Sequence, residues 1–103
     1  MTKDDIWAAG LLSMTGSFTV IKAAGNNKNV RLVVRSAVHT QAIERLADIA
    51  GVNTVYSSAN GTRFAQIALS GEPLHHFMEQ VWDELNPQRK REYIKSRRKA
   101  GLS

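Results

Sequence analysis

The sequence predicts an α+β fold in which four antiparallel strands form one sheet with helices on one of its faces. Two pairs of segments alternate apolar and polar residues around turn-forming residues, which is typical of β-hairpins. The other segments repeat apolar residues at helical spacing, and the predicted order is α-ββ-α-ββ-α-α. The 103 residues fit a single domain over 1–103, with residues 88–103 as a basic C-terminal helix and tail.

The first half of the chain is predicted to be a helix, a hairpin and a second helix. Thr2 and Asp5 have capping-box spacing before an apolar run that Gly16 is expected to end. Residues 17–36 form the predicted hairpin, with strands over 17–23 and 30–36 and a turn at Gly25-Asn-Asn-Lys-Asn29. The second helix spans roughly 40–50 and is expected to stop at Gly51.

The second half repeats the pattern. Strands are predicted over 54–57 and 63–69, around a turn at Asn60-Gly61. A third helix opens at Ser70-Gly-Glu-Pro73 with an apolar stripe facing inward, and Asn86-Pro87 has the cap and first-turn chemistry of a last helix. Because all helices are predicted on one face of the sheet, its other face is expected to be open.

The composition excludes several classes of function. There is no cysteine, so disulfides, thiol nucleophiles and cysteine metal sites are excluded. No apolar run approaches the ~20 residues of a membrane span, and the N-terminus lacks the layout of a signal peptide. We therefore expect no membrane partner and a cytoplasmic or nucleoid-associated protein.

The net charge of +5 is concentrated at one end. Residues 88–99 hold seven Lys or Arg and one acid, whereas the remainder holds seven Lys or Arg against eight Asp or Glu. An almost neutral body with a basic end suits a polyanion, and a terminal helix that only aids solubility is the alternative.

The first helix is rich in small residues. Ala9 and Ser13 are four residues apart with Gly10 beside them, so that two helices could approach closely along this stripe. Gly10 costs about 1 kcal/mol inside a helix, which calls for a packing reason. Packing of this stripe against the chain's own sheet is the alternative to self-association. The residues expected at a dimer interface are Ala8, Ala9, Gly10, Leu12 and Ser13.

The segment from Trp7 to Phe18, WAAGLLSMTGSF, resembles the signature of the LAGLIDADG homing endonucleases, with Ala9, Gly10, Leu11, Gly16, Ser17 and Phe18 matching outright. The order of predicted elements is also that family's order, and further similarities lie at Gly51-Val52, Pro73-Leu74-His75 and 82–90. The resemblance covers roughly residues 6–95. It implies the αββαββα fold with a saddle-shaped sheet, a homodimer that packs its motif helices at the twofold axis, and sheets lying in the DNA major groove.

The same resemblance exposes a missing group. Thr15 occupies the position where the family has the acid that holds a divalent metal, and Ser13 occupies the preceding acidic position. Mg²⁺ prefers carboxylate or phosphate oxygens, and a threonine hydroxyl is a poor substitute. The adjacent histidines His75 and His76 point about 100° apart on a helix, which is wrong for one metal. We therefore expect no catalytic residue and no cofactor, with Mg²⁺ relevant only to an active endonuclease.

If the protein binds duplex DNA, the open sheet face and the start of the last helix are the expected contacts. The loop asparagines 26–29 carry no preference between contact and turn formation. The residues expected to contact DNA are Ser17, Thr19, Ile21, Lys22, Lys28, Arg31, Arg35, Arg63, Arg89 and Lys90.

Three functions remain open on the sequence. The first is a homodimeric DNA-binding protein that has lost cleavage, with a regulatory or splicing-helper role and structured RNA as an alternative partner. The second is an active metal-dependent endonuclease with a rearranged site. The third is a protein-protein interaction or inhibitor module that docks a partner on the open face.

Overall fold

The computed structural model describes residues 2–23, Gly25 and residues 27–102. The helices are α1 (Lys3–Met14), α2 (Thr40–Ala50), α3 (Gly71–Val81) and α4 (Pro87–Lys99), with a short 3₁₀ turn, Trp82–Glu84, between the last two. The strands are β1 (Ser17–Lys22), β2 (Lys28–Ser36), β3 (Val55–Ala59) and β4 (Thr62–Ser70). The predicted order α-ββ-α-ββ-α-α is confirmed.

The four strands form one antiparallel sheet in the order β1-β2-β4-β3. Each hairpin pairs its own two strands, and the hairpins join through β2 and β4 at the centre. β3 spans Val55–Ala59 and so begins and ends later than predicted. It continues to Ala59 because the two-residue turn lets Ala59 pair directly with Thr62. Asn60 and Gly61 both have positive φ, 52° and 78°, as a tight hairpin turn requires.

The helix ends follow the predicted capping chemistry. At α1 the Thr2 hydroxyl accepts from the Asp5 amide and the Asp5 carboxylate accepts from the Thr2 amide, both at 3.1 Å. At α4 the Asn86 side chain accepts from the Gln88 amide at 2.8 Å, with Pro87 in the first turn. These local hydrogen bonds explain why the sequence located both starts.

The core lies between the sheet and the helices. The central strands bury Leu32, Val34 and Ile67, each at most 1% exposed, against the apolar sides of α2 and α3. α4 packs on β1 and β2 through Tyr93, which is 4% exposed. All four helices therefore cover one face of the sheet, as predicted.

Gly16 makes the sharp passage from α1 to β1. Its φ is +100°, and a Cβ there would lie 3.2 Å from Val34 Cγ2 and 3.3 Å from Leu32 Cδ1. Only glycine fits both the backbone conformation and the close approach to β2. No helix among the described residues is long and apolar enough to cross a membrane.

Candidate nucleic-acid interface

The face of the sheet opposite the helices, which we call the open face, is built by the strand register. Residues paired across two antiparallel strands point to the same side, so that the pairs Thr19–Arg31, Arg31–Ser70 and Arg35–Gln66 define this face. No Asp or Glu occupies it in the described strands. Its members are Ser17, Thr19, Ile21, Asn29, Arg31, Val33, Arg35, Val55, Ser57, Ala59, Thr62, Phe64, Gln66, Ala68 and Ser70.

Arg31 and Arg35 are the two cations of the open face. Both are exposed, and they flank Val33 on the central strand because Leu32 and Val34 point into the core. The Arg35 guanidinium lies 5.1 Å from the centre of the Phe64 ring, a cation–π contact that orients it over the face. The predicted placement of this pair, and of Ser17, Thr19 and Ile21, is confirmed.

Phe64 and Gln66 belong to this face and were missed by the sequence reasoning. Ala65, Ile67 and Leu69 are buried, so the alternation along β4 sends the even-numbered residues to the open side. That alternation of apolar and polar residues is present in the sequence, and it could have placed Phe64 and Gln66 on the open face.

Lys22, Lys28 and Arg63, in contrast, lie on the helix side of the sheet. Lys22 pairs directly with Lys28, in register with the buried pair Phe18–Leu32, and Arg63 pairs with Ser58. The Arg63 guanidinium stacks 4.5 Å from the centre of the Tyr56 ring. Arg63, which was a candidate for the open face, therefore lies on the other side, because it sits an odd number of residues from the strand's outward positions. The expected DNA contacts of Lys22, Lys28 and Arg63 remain predictions.

Lys22 and Lys28 instead meet Lys99 of α4. The three lysines line a groove of about 520 Å³ at the edge of β1, together with Ser96 and residues 18–21. No carboxylate lines this groove. Asn27 and Asn29 lie in the adjoining cavity beside Lys28, and Asn26 lies outside the described residues.

Arg89 and Lys90 are also separate from the open face. Arg89 donates to Glu92 at 2.8 Å on the same helix, and the Lys90 ammonium lies 5.6 Å from the centre of the Trp82 ring. Both belong to a helix packed on the covered side of the sheet. The expected contact of Arg89 and Lys90 with DNA therefore remains a prediction that is separate from the open face.

Three residues expected at a dimer interface are buried in their own chain. Ala8 and Ala9 are 0% exposed and Leu12 is 3% exposed, because this side of α1 packs against α2, α3 and the 3₁₀ turn. The alternative reading of the small residues, packing within the chain, is correct for these three. Gly10 differs: it is exposed, and a Cβ there would meet nothing within 4 Å.

The exposed side of α1 is apolar as well. Ile6, Gly10 and Met14 recur every four residues along it, and the Ile6 and Met14 side chains are 48% and 83% exposed. Apolar residues of α1 therefore lie on more than one side of the helix, and only those on its buried side are covered by the chain's own core.

The positions that correspond to the family's metal-binding acids do not fit a divalent metal. The Ser13 hydroxyl donates to the Ala9 carbonyl at 2.8 Å and accepts from the Asn86 amide at 3.1 Å, so it is held in place as a neutral group with its proton and one of its two lone pairs engaged. Thr15 ends α1 in an extended conformation and offers one neutral hydroxyl. Nowhere in the described part of the chain do three or more Asp, Glu, His or Cys residues form a group that could hold a metal.

A polar chain of His75, Tyr93 and Glu79 lies between α3 and α4. The Tyr93 hydroxyl is 2.9 Å from Nδ1 of His75, and Nε2 of His75 is 2.8 Å from the Glu79 carboxylate. In the neutral imidazole, Nε2 therefore donates to Glu79 and Nδ1 accepts from Tyr93. Burial raises the pKa of Tyr93, and the nearby Arg97 guanidinium offsets part of that rise. His76 is exposed and has no part in this chain of contacts.

Comparison with solved structures identifies the fold. The homing endonuclease I-TnaI superposes with a TM-score of 0.67 at 17% identity, over 94% of this chain and 70% of that one. The homing endonuclease I-CvuI in complex with its target gives 0.63 at 17% identity, over 94% and 67%. I-CvuI in complex with the I-CreI target, with the DNA not cleaved, gives 0.62 at 16% identity, over 90% and 63%.

The chain thus spans between 63% and 70% of the length of these solved chains. No protein-family profile matches it, and no curated protein matches it. The structural likeness establishes that the chain has the LAGLIDADG homing endonuclease fold, as the resemblance at residues 7–18 implied.

Proposed function

We propose that this protein is a homodimeric binder of double-stranded DNA that does not cut its target. The observation that carries the proposal is the open face, an acid-free sheet surface with two exposed arginines on its central strand. An antiparallel sheet can leave one face to solvent, and a whole uncovered face with apolar residues between the arginines is a surface on which a partner can dock. The neighbours with this fold include a homing endonuclease in complex with its DNA target, which supports DNA as that partner.

The chemistry of the open face suits the DNA major groove. The groove admits a β-ribbon, arginine pairs with guanine O6 and N7, and glutamine pairs with adenine N6 and N7. Arg31, Arg35 and Gln66 supply those groups from the two central strands. Ile21, Val33 and Ala68 add an apolar component that fits thymine methyl groups.

The groove at the edge of β1 supplies phosphate contacts beside the open face. Thr19 and Ile21 belong both to the open face and to this groove, so a DNA strand that crosses the edge reaches Lys22, Lys28 and Lys99. Lysine binds phosphate as a point charge and carries no sequence information. We assign affinity to this groove and sequence readout to the open face.

The proposed dimer is formed through the exposed side of α1. Ile6, Gly10 and Met14 form a stripe that a second copy of the same helix can cover, with Gly10 as the point of closest approach. Ala8, Ala9 and Leu12 then hold α1 against its own core, and only Gly10 of the residues first expected keeps its interface role.

Loss of cleavage follows from the groups at the end of α1. Hydrolysis of a phosphodiester with a divalent metal needs anionic ligands, and this position holds Ser13 and Thr15. The Ser13 hydroxyl is already used in a link to α4. The structural role of Ser13 supports a protein that keeps the DNA-binding sheet and does not cleave DNA.

DNA binding is tested with the double variant Arg31→Gln and Arg35→Gln. Each arginine contact with a base contributes about 1 kcal/mol or more, so we expect duplex affinity to fall by about 30-fold or more. The measurement is fluorescence anisotropy over a salt series. Unchanged affinity would refute the role of the open face, and binding without salt dependence would favour the docking of a partner protein instead.

The dimer is tested with Gly10→Leu. The space around Gly10 is open in the isolated chain, so a leucine there leaves the subunit folded and blocks only the approach of a second helix. We expect the mass measured by light scattering to fall from that of two chains to that of one. Ala59→Leu is the control, because Ala59 is exposed on β3, away from α1, and does not have the positive φ that penalises a side chain. A variant that still has the mass of a dimer would overturn the interface.

The absence of cleavage is tested on the genomic locus around the gene. Purified protein is incubated with this DNA and Mg²⁺ or Mn²⁺, and the products are sequenced. We expect intact duplex with bound protein. Any site-specific double-strand break would establish the active endonuclease instead.

A further inference from the structure

Three cations of α4 form a surface that points away from the sheet, which we call the outer basic face. Arg91, Lys95 and Arg98 recur at spacings of four and three residues, so they lie along one side of the helix, whereas Lys99 belongs to the groove at the edge of β1. All three are exposed. The outer basic face is distinct from the open face and from the pairs formed by Arg89 and Lys90.

Tyr93 fixes the direction of this surface. Its ring is buried and lies 5.5 Å from the ring of Phe18, on the helix-covered side of β1. At 3.6 residues per turn, Arg91, Lys95 and Arg98 lie about 140–160° around the helix axis from Tyr93. A helix layer stands about 10 Å from its packing partner, so these cations point to the opposite side of the molecule from the open face. A duplex held on the open face is therefore out of their reach.

The charge of the outer basic face is not neutralised within the chain. Glu92 is the acid of α4, and it accepts from Arg89 at 2.8 Å and from Gln88 at 3.4 Å. Across residues 2–23, 25 and 27–102, none of the three cations takes part in an ion pair or a side-chain hydrogen bond. This surface is available to an external anion.

Folding stability alone does not explain the arrangement. Cations in the last turn of a helix are favoured by the helix dipole, which accounts for Arg98 and Lys99. Arg91 and Lys95 lie earlier, and like charges four residues apart destabilise a helix. A partner that neutralises them explains why they are there.

The chemistry favours a nucleic-acid backbone over a protein. Protein interfaces are built on a buried apolar core and are depleted in lysine, whereas this surface is dominated by Arg and Lys side chains, with the large apolar residue Ile94 at its border. The rise from Arg91 to Arg98 is about 10 Å, the axial length of about three phosphates of one DNA strand. Several cations in line with such a strand release its counterions on binding.

We propose that the outer basic face binds the phosphate backbone of a second DNA duplex, so that the protein bridges two duplexes. The bridge rests on the proposed function of the open face, which holds the first duplex. The contact of the outer basic face is with phosphates alone, so it is independent of the sequence of the second duplex.

The test is a capture assay with two duplexes. One duplex is fixed to beads, a second fluorescent duplex is added at low salt, and the fluorescence retained by the full-length protein is measured. The test variant is Arg91→Gln with Arg98→Gln. Its matched control is Arg31→Gln with Arg35→Gln, which removes the same two charges of the same residue type from the other side of the molecule. Both pairs are exposed, so both variants are expected to keep the wild-type circular dichroism spectrum and melting temperature.

We expect the wild type to retain the second duplex and the outer-face variant to lose that retention while its affinity for a single duplex stays within about twofold. The logarithmic salt slope for the second duplex should fall by about two, one for each phosphate contact removed. A wild type that does not retain the second duplex, or an outer-face variant that retains it fully, would overturn the proposal. Preferential capture of a structured RNA hairpin over the second duplex would overturn the assignment to DNA.

The same assay separates this inference from the proposed function. If the open-face variant loses affinity for one duplex and the wild type still does not bridge, the open face binds DNA and the outer basic face does not. If the open-face variant binds one duplex normally and the outer-face variant does not, the proposed function of the open face fails and the outer basic face is the DNA-binding surface.

Discussion

The hydroxyl of Ser13 accepts the amide hydrogen of Asn86 at 3.1 Å and so joins the end of α1 to the start of α4. Ser13 also donates to the Ala9 carbonyl at 2.8 Å, which orients the hydroxyl. At this position the LAGLIDADG signature has an acid. In this chain a neutral serine stands there and links two helices. This supports the proposal that the protein keeps the DNA-binding sheet and does not cleave DNA.

Ser13→Ala should lower the free energy of unfolding by about 1 kcal/mol, because the Asn86 amide loses its partner. Equilibrium denaturation in urea measures the change. Ser17→Ala is the matched control, since Ser17 is exposed on the open face, and it should change stability by less than about 0.5 kcal/mol. Equal effects of the two substitutions would show that the link to Asn86 carries no stability.

Gly16→Ala should destabilise the protein more than Gly61→Ala. Both glycines have positive φ, +100° and +78°, so each alanine pays about 1–2 kcal/mol of backbone strain. At Gly16 the new methyl group also lies 3.2 Å from Val34 Cγ2, which adds about 1–3 kcal/mol of overpacking, whereas nothing lies within 4 Å at Gly61. The difference between the two urea midpoints isolates the contact with β2, and equal midpoints would mean that β2 yields without cost.

Tyr93→Phe should change how stability depends on alkaline pH. Burial raises the pKa of Tyr93 above its ordinary value of 10.0, so the folded state favours the neutral phenol. That contribution is fully present below pH 10 and is lost as the pH rises through the folded-state pKa. The difference in unfolding free energy between wild type and variant should therefore shrink above pH 10. Tyr56→Phe leaves Tyr93 in place, so this variant should keep the part of the pH dependence of stability that comes from Tyr93. A difference in unfolding free energy between wild type and Tyr93→Phe that stays constant above pH 10 would contradict the burial argument.

Asp5→Asn should flatten the loss of stability in acid. The Gln80 side-chain amide donates to the Asp5 carboxylate and, with the Thr2 backbone, holds the pKa of Asp5 below its ordinary value of 3.8. The contribution of Asp5 is present above about pH 3.8 and is lost as the pH falls through the lower folded-state pKa. Urea denaturation between pH 6 and the acid limit of folding measures it. The same slope for wild type and Asp5→Asn would remove the role of this carboxylate.

The elements of the fold could be predicted from the sequence because their signals are local. The capping box at Thr2 and Asp5, the Asn60-Gly61 turn and the Asn86-Pro87 start are each fixed by atoms within a few residues. The alternation along β2 likewise sent Arg31 and Arg35 to one side of the strand once Leu32 and Val34 were assigned to the core.

The candidate site was predicted less completely because its membership depends on distant residues. The sequence did not show on which side of the sheet Lys22 and Lys28 lie, and only the strand register pairs them with each other on the helix side. Ala8, Ala9 and Leu12 looked like an interface until α2 and α3 covered them. Charge and size are properties of a residue, whereas exposure is set by what packs on it.

The sequence by itself determined the order of helices and strands, the turns between them and the small-residue junction at Gly16, since each follows from hydrogen bonds and steric limits within a short stretch of chain. The tertiary structure alone decided that Lys22, Lys28 and Lys99 surround one groove and that the cations of α4 lie apart from Arg31 and Arg35 on the open face. The physical reason is that α4 lies tens of residues from β1 and β2 along the chain, and only the packing of α4 on these strands fixes which residues meet.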